Sequence, residues 1–302
     1  MSCVMVHWLE RLVKMGALKP GQSMIEFGPQ DMDFRPPFLS AVARRLHGDE
    51  EAKRILAGVD ESKDFSPYAQ EKFYSVFGIT KYRSLDPFDG RSEYHYDLNS
   101  HVPIFSRFDV VTNFGTAEHV FNVANVFKVA FDLLPVGGLL LNVNPTNGDV
   151  DHGLFNLHPI LFRTLAAHSG FEMVDYQFID DIALRTELLR QSPDAAFDFD
   201  QLPIKLADME DEASFKKLVY DRFLKSATDP SRASNWPGRQ APAVFDYSFV
   251  ALRKMRAGRF RLPYQYTNSP LGRSYNLFRF ALSWLGGSWM PRGGIGEKHR
   301  RL

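Results

Sequence analysis

The sequence predicts an α/β fold built on a mostly parallel sheet with helices on both faces. Three observations carry that prediction. Short apolar runs alternate with segments of helical periodicity along most of the chain. Glycine and proline punctuate the joints, as at Lys19-Pro20-Gly21, Gly28-Pro29 and Gly137-Gly138. Two last strand candidates are separated by a long polar excursion, which points to one late antiparallel strand.

Taken in order, Val4, Trp8, Leu9 and Leu12 recur at helical spacing and predict an amphipathic helix over 3–16. Ser23–Phe27 reads as a buried strand. Pro36-Pro37 opens a helix running to about Leu56, because proline is tolerated in the first turn. Ser66-Pro67 opens a shorter one, Tyr68 to Phe77. Strands follow at Tyr82–Asp86, Glu93–Asp97, Phe108–Phe114 and Leu139–Asn144, the last two separated by a long helix, Thr116–Leu134. The helix Pro159–Ser169 ends at Gly170 and leads into the strand Phe171–Ile179. Residues 180–242 are polar and acidic and read as a partly helical insertion. Phe245–Arg253 then returns as the seventh strand. The organisation expected is a core of 1–179 with 243–256, an insertion at 180–242 that caps an acceptor site, and a basic, aromatic extension at 257–302.

Composition is that of a soluble globular protein: 302 residues, 44% hydrophobic and 24% charged, with 26 phenylalanines for a core and an apolar pocket. The net charge of zero is unevenly spread. From Lys254 to the end, ten Lys/Arg face only Glu297, leaving 26 basic and 35 acidic residues in the rest. The basic end can meet an anionic surface or the acidic body of its own protein. Leu277–Trp289, flanked by Arg273, Arg279 and Arg292, mixes aromatics and arginines. Packing on the core is the favoured reading there and peripheral membrane contact the alternative. Nucleic acid is not an expected partner. The lone Cys3 excludes an internal disulfide and a cysteine-based zinc cage. No apolar run reaches membrane-spanning length and the N-terminus lacks a signal-peptide layout, so the cytoplasm is expected.

The chemistry concentrates at strand ends. In an open α/β sheet, ligands bind beyond the carboxyl ends of the strands. Glu26, Gly28, Pro29 and Gln30 follow the first strand; a carboxylate there suits an ammonium group and repels a pyrophosphate. No G-x-G-x-x-G run follows, which argues against a dinucleotide site. The second strand ends in Asp86, where an acid can accept from both hydroxyls of a ribose, with Asp89 a competitor. The third ends in Asp97, Leu98 and Asn99, within reach of an adenine amino group. The fourth, Phe108–Gly115, runs through Thr112, Asn113 and Phe114 and opens onto Thr116, Ala117, Glu118 and His119.

That ordered series resembles the class I S-adenosylmethionine (SAM)-dependent methyltransferase family over residues 23–179: E-x-G after the first strand, acids after the second and third, F-D-V-V-T…E-H before a long helix, and L-L-P-V-G-G-L-L-L-N-V at 133–143. The resemblance implies a Rossmann-like sheet of seven strands with one antiparallel, and SAM as cofactor. By it, Glu26 and Gly28 hold the methionine end, Asp86 the ribose and Asp97 the adenine, while Thr112, Asn113 and Phe114 line the cleft. Gln30 stands where the family has a second glycine. Asp149–Pro159, with His152, Asn156 and His158, resembles a D-H-G-x-x-N segment of bacterial methyltransferases of unassigned or cell-surface-glycan context. It is the expected acceptor site, for a glycan or small-molecule hydroxyl.

Histidine is the natural base for a hydroxyl proton near neutral pH. His152 is the first candidate, His119 and His158 the alternates. His119, Asp149, Asp151, His152 and His158 include metal-ligand types, but helical i, i+4 histidine spacing is absent and no metal is expected. Tyr68 and Lys72 match a dehydrogenase Y-x-x-x-K but lie too early in the chain. Asp198 and Asp200 could serve a glycosyltransferase, and a non-catalytic assembly protein on the methyltransferase fold is the other alternative. No G-x-S-x-G or phosphate-loop motif is present.

Overall fold

A computed structural model describes residues 2–32, 34, 36–59, 70–148, 152–180, 195–202 and 245–263, with the single positions 184, 188, 217, 220 and 221. Most of the predicted insertion, Asp149, Asp151 and the extension from residue 264 lie outside the described residues, as does Tyr68.

The elements are α1 (Cys3–Lys14), β1 (Gln22–Phe27), α2 (Pro36–His47), α3 (Asp49–Ile55), α4 (Gln70–Ser75), β2 (Ile79–Leu85), β3 (Val110–Phe114), α5 (Val123–Leu133), β4 (Leu139–Gly148), α6 (Pro159–Ser169), β5 (Phe171–Asp180) and β6 (Phe245–Lys254). Short 3₁₀ turns occur at Ala117–His119 and Phe199–Gln201. The strands run in the order β2-β1-β3-β4-β6-β5. β2, β1, β3 and β4 are parallel neighbours, and β6 inserts antiparallel to both β4 and β5. The expected single antiparallel strand is therefore the last one.

The sheet has six strands among the described residues, one fewer than expected. Residues 93–97 make only an isolated bridge, Leu85 with Tyr94, beside β2. Tyr94 donates its N–H to Ser84 O at 3.1 Å and accepts from Asp86 N at 3.0 Å, while Glu93, His95 and Asp97 stay exposed. A segment that buries so little gains too little to extend the ladder. The helix expected over 36–56 is two helices, because Gly48 takes φ +79° and closes α2 with its N–H on Arg44 O. That expected over 116–134 is likewise a 3₁₀ turn followed by α5.

Strand periodicity divides the interior into two cores. Met24, Val110, Leu139 and Leu141 face a layer of α1, α2 and α4, whereas Ile25, Val111, Leu140 and Val250 face α5 and α6. Trp8 of α1 is fully buried, edge-on to Phe114 and Phe249, and donates its indole N–H to buried Asp175 at 2.8 Å. The first stretch of the predicted extension packs on the second core: Phe260 meets Phe131, and Ser169 Oγ donates to Arg261 O. Among the described residues no helix is long and apolar enough to cross a membrane.

The strand order fixes where a ligand can sit. From β1 the chain goes one way to β2 and the other to β3, so the carboxyl ends of β1 and β3 flank the switch point.

Candidate functional site

β1 ends at Phe27, and Gly28 turns the chain at φ +71° with its N–H on Leu85 O. A Cβ at this position would lie 2.8 Å from Thr116 Oγ1, which itself donates to Phe27 O at 2.6 Å. Both the left-handed backbone and the close approach of the β3 turn require glycine. Beyond this joint lies a cavity of about 350 Å³. Gly28, Pro29 and Gln30 form one wall, Asp86, Pro87 and Phe88 a second, Asp97, Leu98 and Asn99 a third, and Gly115, Thr116 and His119 close it.

The acids after β2 and at the end of the 93–97 bridge segment are held by their own turns. Asp86 Oδ1 accepts from the N–H groups of Phe88 and Asp89, and its Oδ2 lies on the Gly28 side. Asp97 Oδ1 accepts from Asn99 N and Nδ2. The 97–100 loop is tied to the start of α5, where Asn125 Nδ2 donates to Leu98 O and Ser100 O. Asp89 is the other acid of the β2 loop. Its carboxylate is engaged by the Arg91 guanidinium, which holds it below the usual carboxylate range, and it does not line the cavity. Arg91 also bonds Asp31 Oδ1 and Pro29 O, stapling the β1 turn to the β2 loop.

A second cavity, of about 240 Å³, shares Gln30, Gly115 and His119 with the first. Its other walls are Phe114, Glu118 and His152, with Ser2 and Met5 at the start of the chain and Tyr247 of β6. Gln30 Nε2 donates to Gly28 O at 3.1 Å and to Phe114 O at 2.6 Å, so the side chain spans the ends of β1 and β3 between the two spaces. The His119 and His152 rings stand edge-to-face with centroids 4.9 Å apart. Beneath them runs a buried chain of amides. Asn113 Nδ2 donates to Asn142 Oδ1 and Asn144 Oδ1, Asn113 Oδ1 accepts from Ala117 N, and Asn144 Nδ2 donates to Glu118 Oε2 at 2.9 Å.

Of the residues singled out in the sequence, Gly28, Pro29, Asp86, Asp97 and Leu98 line the larger cavity, Phe114, Glu118 and His152 the smaller, and Gln30 and His119 both. Three placements differ from expectation. Glu26, expected at the methionine end, is fully buried and lines neither cavity. Its carboxyl accepts from the hydroxyls of Tyr74 and Tyr82, because β1 turns this side chain toward α4 and β2. Burial raises its pKa to about 7 against the partial opposition of those two hydroxyls and the Gln30 N–H. Asn113, with Thr112 beside it, is fully buried, and its amide is spent on the chain above. His158 is exposed at the start of α6, outside both cavities. Asp198 and Asp200, the glycosyltransferase alternative, serve a 3₁₀ turn instead: Asp198 accepts from Asp200 N, and Asp200 pairs with Arg11.

Sequence reasoning missed Ser2, Met5 and Tyr247, which no local pattern connects to the site. It also missed the convergence of Glu118, His119 and His152, whose ligand atoms all lie within 4.8 Å of one another.

No protein-family model matches the chain, and no curated protein matches it significantly in sequence. Among solved structures it is similar to a protein of Bacillus halodurans C-125 provisionally classed as a methyltransferase (14% identity, 82% of this chain and 99% of that one, TM-score 0.39). It is also similar to the YcgJ protein of Bacillus subtilis (11%, 83% and 99%, TM-score 0.41) and to the StiE O-MT, residues 942–1257 (13%, 93% and 78%, TM-score 0.39). At such identities and scores these likenesses assign neither a reaction nor a substrate.

Proposed function

We propose that the chain is a SAM-dependent methyltransferase acting on a hydroxyl of a glycan or small molecule. The observation that carries this reading is the pair of cavities at the switch point. One is edged by strand-end acids, the other by two imidazoles, and they adjoin at Gln30, Gly115 and His119.

The residues present fit the cofactor. The larger cavity falls within the ~300–1,000 Å³ usual for small-molecule sites. A Cβ at its glycine joint would lie 3.8 Å from Asp86 Oδ2, so glycine keeps the backbone bare beside that acid. Asp86 would accept from ribose hydroxyls, Asp97 from an adenine amino group, and Leu98 would offer an apolar face to the base. The backbone of Gly28–Gln30 and Gly115 would hold the methionine end, in place of the buried Glu26. When bound, SAM supplies an electrophilic methyl group on a sulfonium. The chain's own part is to orient the acceptor in the smaller cavity, where proximity supplies most of the acceleration. His152, with His119 beside it, would take the proton of an acceptor hydroxyl in this cavity.

Isothermal calorimetry with SAM tests the reading. Binding is expected in the micromolar range, weakened at least tenfold in Asp86→Asn, which keeps the turn but removes the charge. Absence of SAM binding to the folded protein would end the proposal.

A further inference from the structure

We infer that Glu118, His119 and His152 form a binding site for one divalent transition-metal ion at the wall of the smaller cavity. Two imidazoles and a carboxylate are a donor set suited to zinc, iron(II), cobalt or manganese, and three protein ligands leave positions open for an acceptor oxygen. Their ligand atoms lie within 4.8 Å of one another. Ligand atoms on a tetrahedral zinc ion stand about 3.4 Å apart, for bonds of ~2.1 Å. Metal binding would draw the two exposed imidazoles in by rotation to close that gap.

The frame around the cluster is built rather than accidental. Glu118 is fully buried, and Asn144 orients it through Oε2, as the outer partners of metal-bound carboxylates do. Asn144 is in turn held by Asn113, so the carboxylate is referred to β3 and β4 rather than to a loop. His152 arrives from a segment 33 residues beyond His119, and that segment is clamped onto the turn bearing Glu118. Leu154 N and Phe155 N both donate to Glu118 O, at 2.7 and 3.2 Å. A Cβ on Gly153 would lie 3.0 Å from both Glu118 Cγ and Glu118 O, so glycine allows the approach that brings His152 to its partners.

A metal here changes what the histidines do. Coordinated imidazoles are no longer bases; the ion instead lowers the pKa of a bound hydroxyl. The O–H bond breaks, the proton passes to solvent buffer, and the electron pair stays on the acceptor oxygen, with no change in the ion's oxidation state. This role rests on the methyltransferase reading; the binding site does not. The acceptor it selects is one with a hydroxyl able to ligate a metal.

The test is titration of chelator-treated, full-length protein with Co²⁺ and Zn²⁺, followed by calorimetry and by the visible absorption of Co²⁺. One ion per chain is expected, with a Co²⁺ spectrum of mixed nitrogen and oxygen ligation. His119→Ala and His152→Ala, both at exposed positions, should each weaken binding at least tenfold, and the double variant should abolish it. Wild-type protein that takes up no stoichiometric ion, or binding that survives the double variant, overturns the inference. SAM is titrated separately into metal-free protein. SAM binding without Co²⁺ binding removes the metal site alone, and Co²⁺ binding without SAM binding keeps it while removing the methyltransferase.

Discussion

Replacing Glu26 with glutamine tests whether the carboxyl enclosed by Tyr74 and Tyr82 titrates inside the physiological range. In the folded chain burial raises its pKa from 4.5 to about 7. Between those values the folded state holds a proton that the unfolded state has lost. Stability from this group is therefore full below about pH 4.5 and declines as pH rises through 7. A tenfold difference in proton affinity between the two states is worth about 1.4 kcal/mol, so the full loss is roughly 3 kcal/mol, of which about 2.5 falls between pH 5 and 8. Glutamine does not titrate. The difference in unfolding free energy between Glu26→Gln and the wild type should thus move by about 2.5 kcal/mol in the variant's favour from pH 5 to pH 8. Taking that difference cancels other groups. Glu10, for one, would be raised by burial but is held well below its ordinary value by hydrogen bonds from Arg45, His7 and Lys14. Its contribution is lost only as pH falls, below the window used. The assay is urea unfolding of both proteins at pH 5, 6, 7 and 8. A difference that stays flat across the series would refute the reasoning.

Three further outcomes are expected. Gly28→Ala should lower stability by at least about 1–2 kcal/mol through the left-handed backbone alone, and should weaken SAM binding, because its Cβ meets Thr116; unchanged unfolding and calorimetry would show that the turn relaxes freely. Trp8→Phe removes the indole donor from buried Asp175 and should cost about 1–3 kcal/mol in urea unfolding, whereas a loss near zero would mean that Arg11 and Gln177 satisfy the carboxylate by themselves. His152→Ala should reduce kcat by about 10²–10⁴ on any accepted substrate while SAM affinity stays within about twofold; wild-type turnover would remove His152 from the reaction.

The fold was legible wherever local chemistry decides structure. The helix at 159–169 is bounded as expected, by Pro159 at its first turn and Gly170 at φ +85° after its last. Gly48 followed by Asp49-Glu50-Glu51 was an equally readable stop and start, a glycine cap and then an acidic first turn, yet the apolar periodicity ran across it. Residues 93–97 alternate as a strand would, but alternation says nothing about whether either face will find a partner. The strand-end acids were legible in the same local sense: Asp86 and Asp97 follow their strand and bridge segment and line the cavity. The fate of Glu26 was not, because it depends on tyrosines from a helix and a neighbouring strand. Nor was the meeting of His119 with His152, which only the packing of the 152–155 segment onto the β3 turn creates.

Gln30 joins the ends of β1 and β3 where the two cavities adjoin. Both hydrogens of its amide nitrogen are committed, one to Gly28 O and one to Phe114 O. What the side chain can still offer is the lone pairs of its carbonyl oxygen. A glycine there would be electrically indifferent, and a glutamate would set its oxygens against two backbone carbonyls. Glutamine instead ties the two carbonyls together and keeps only acceptor capacity of its own.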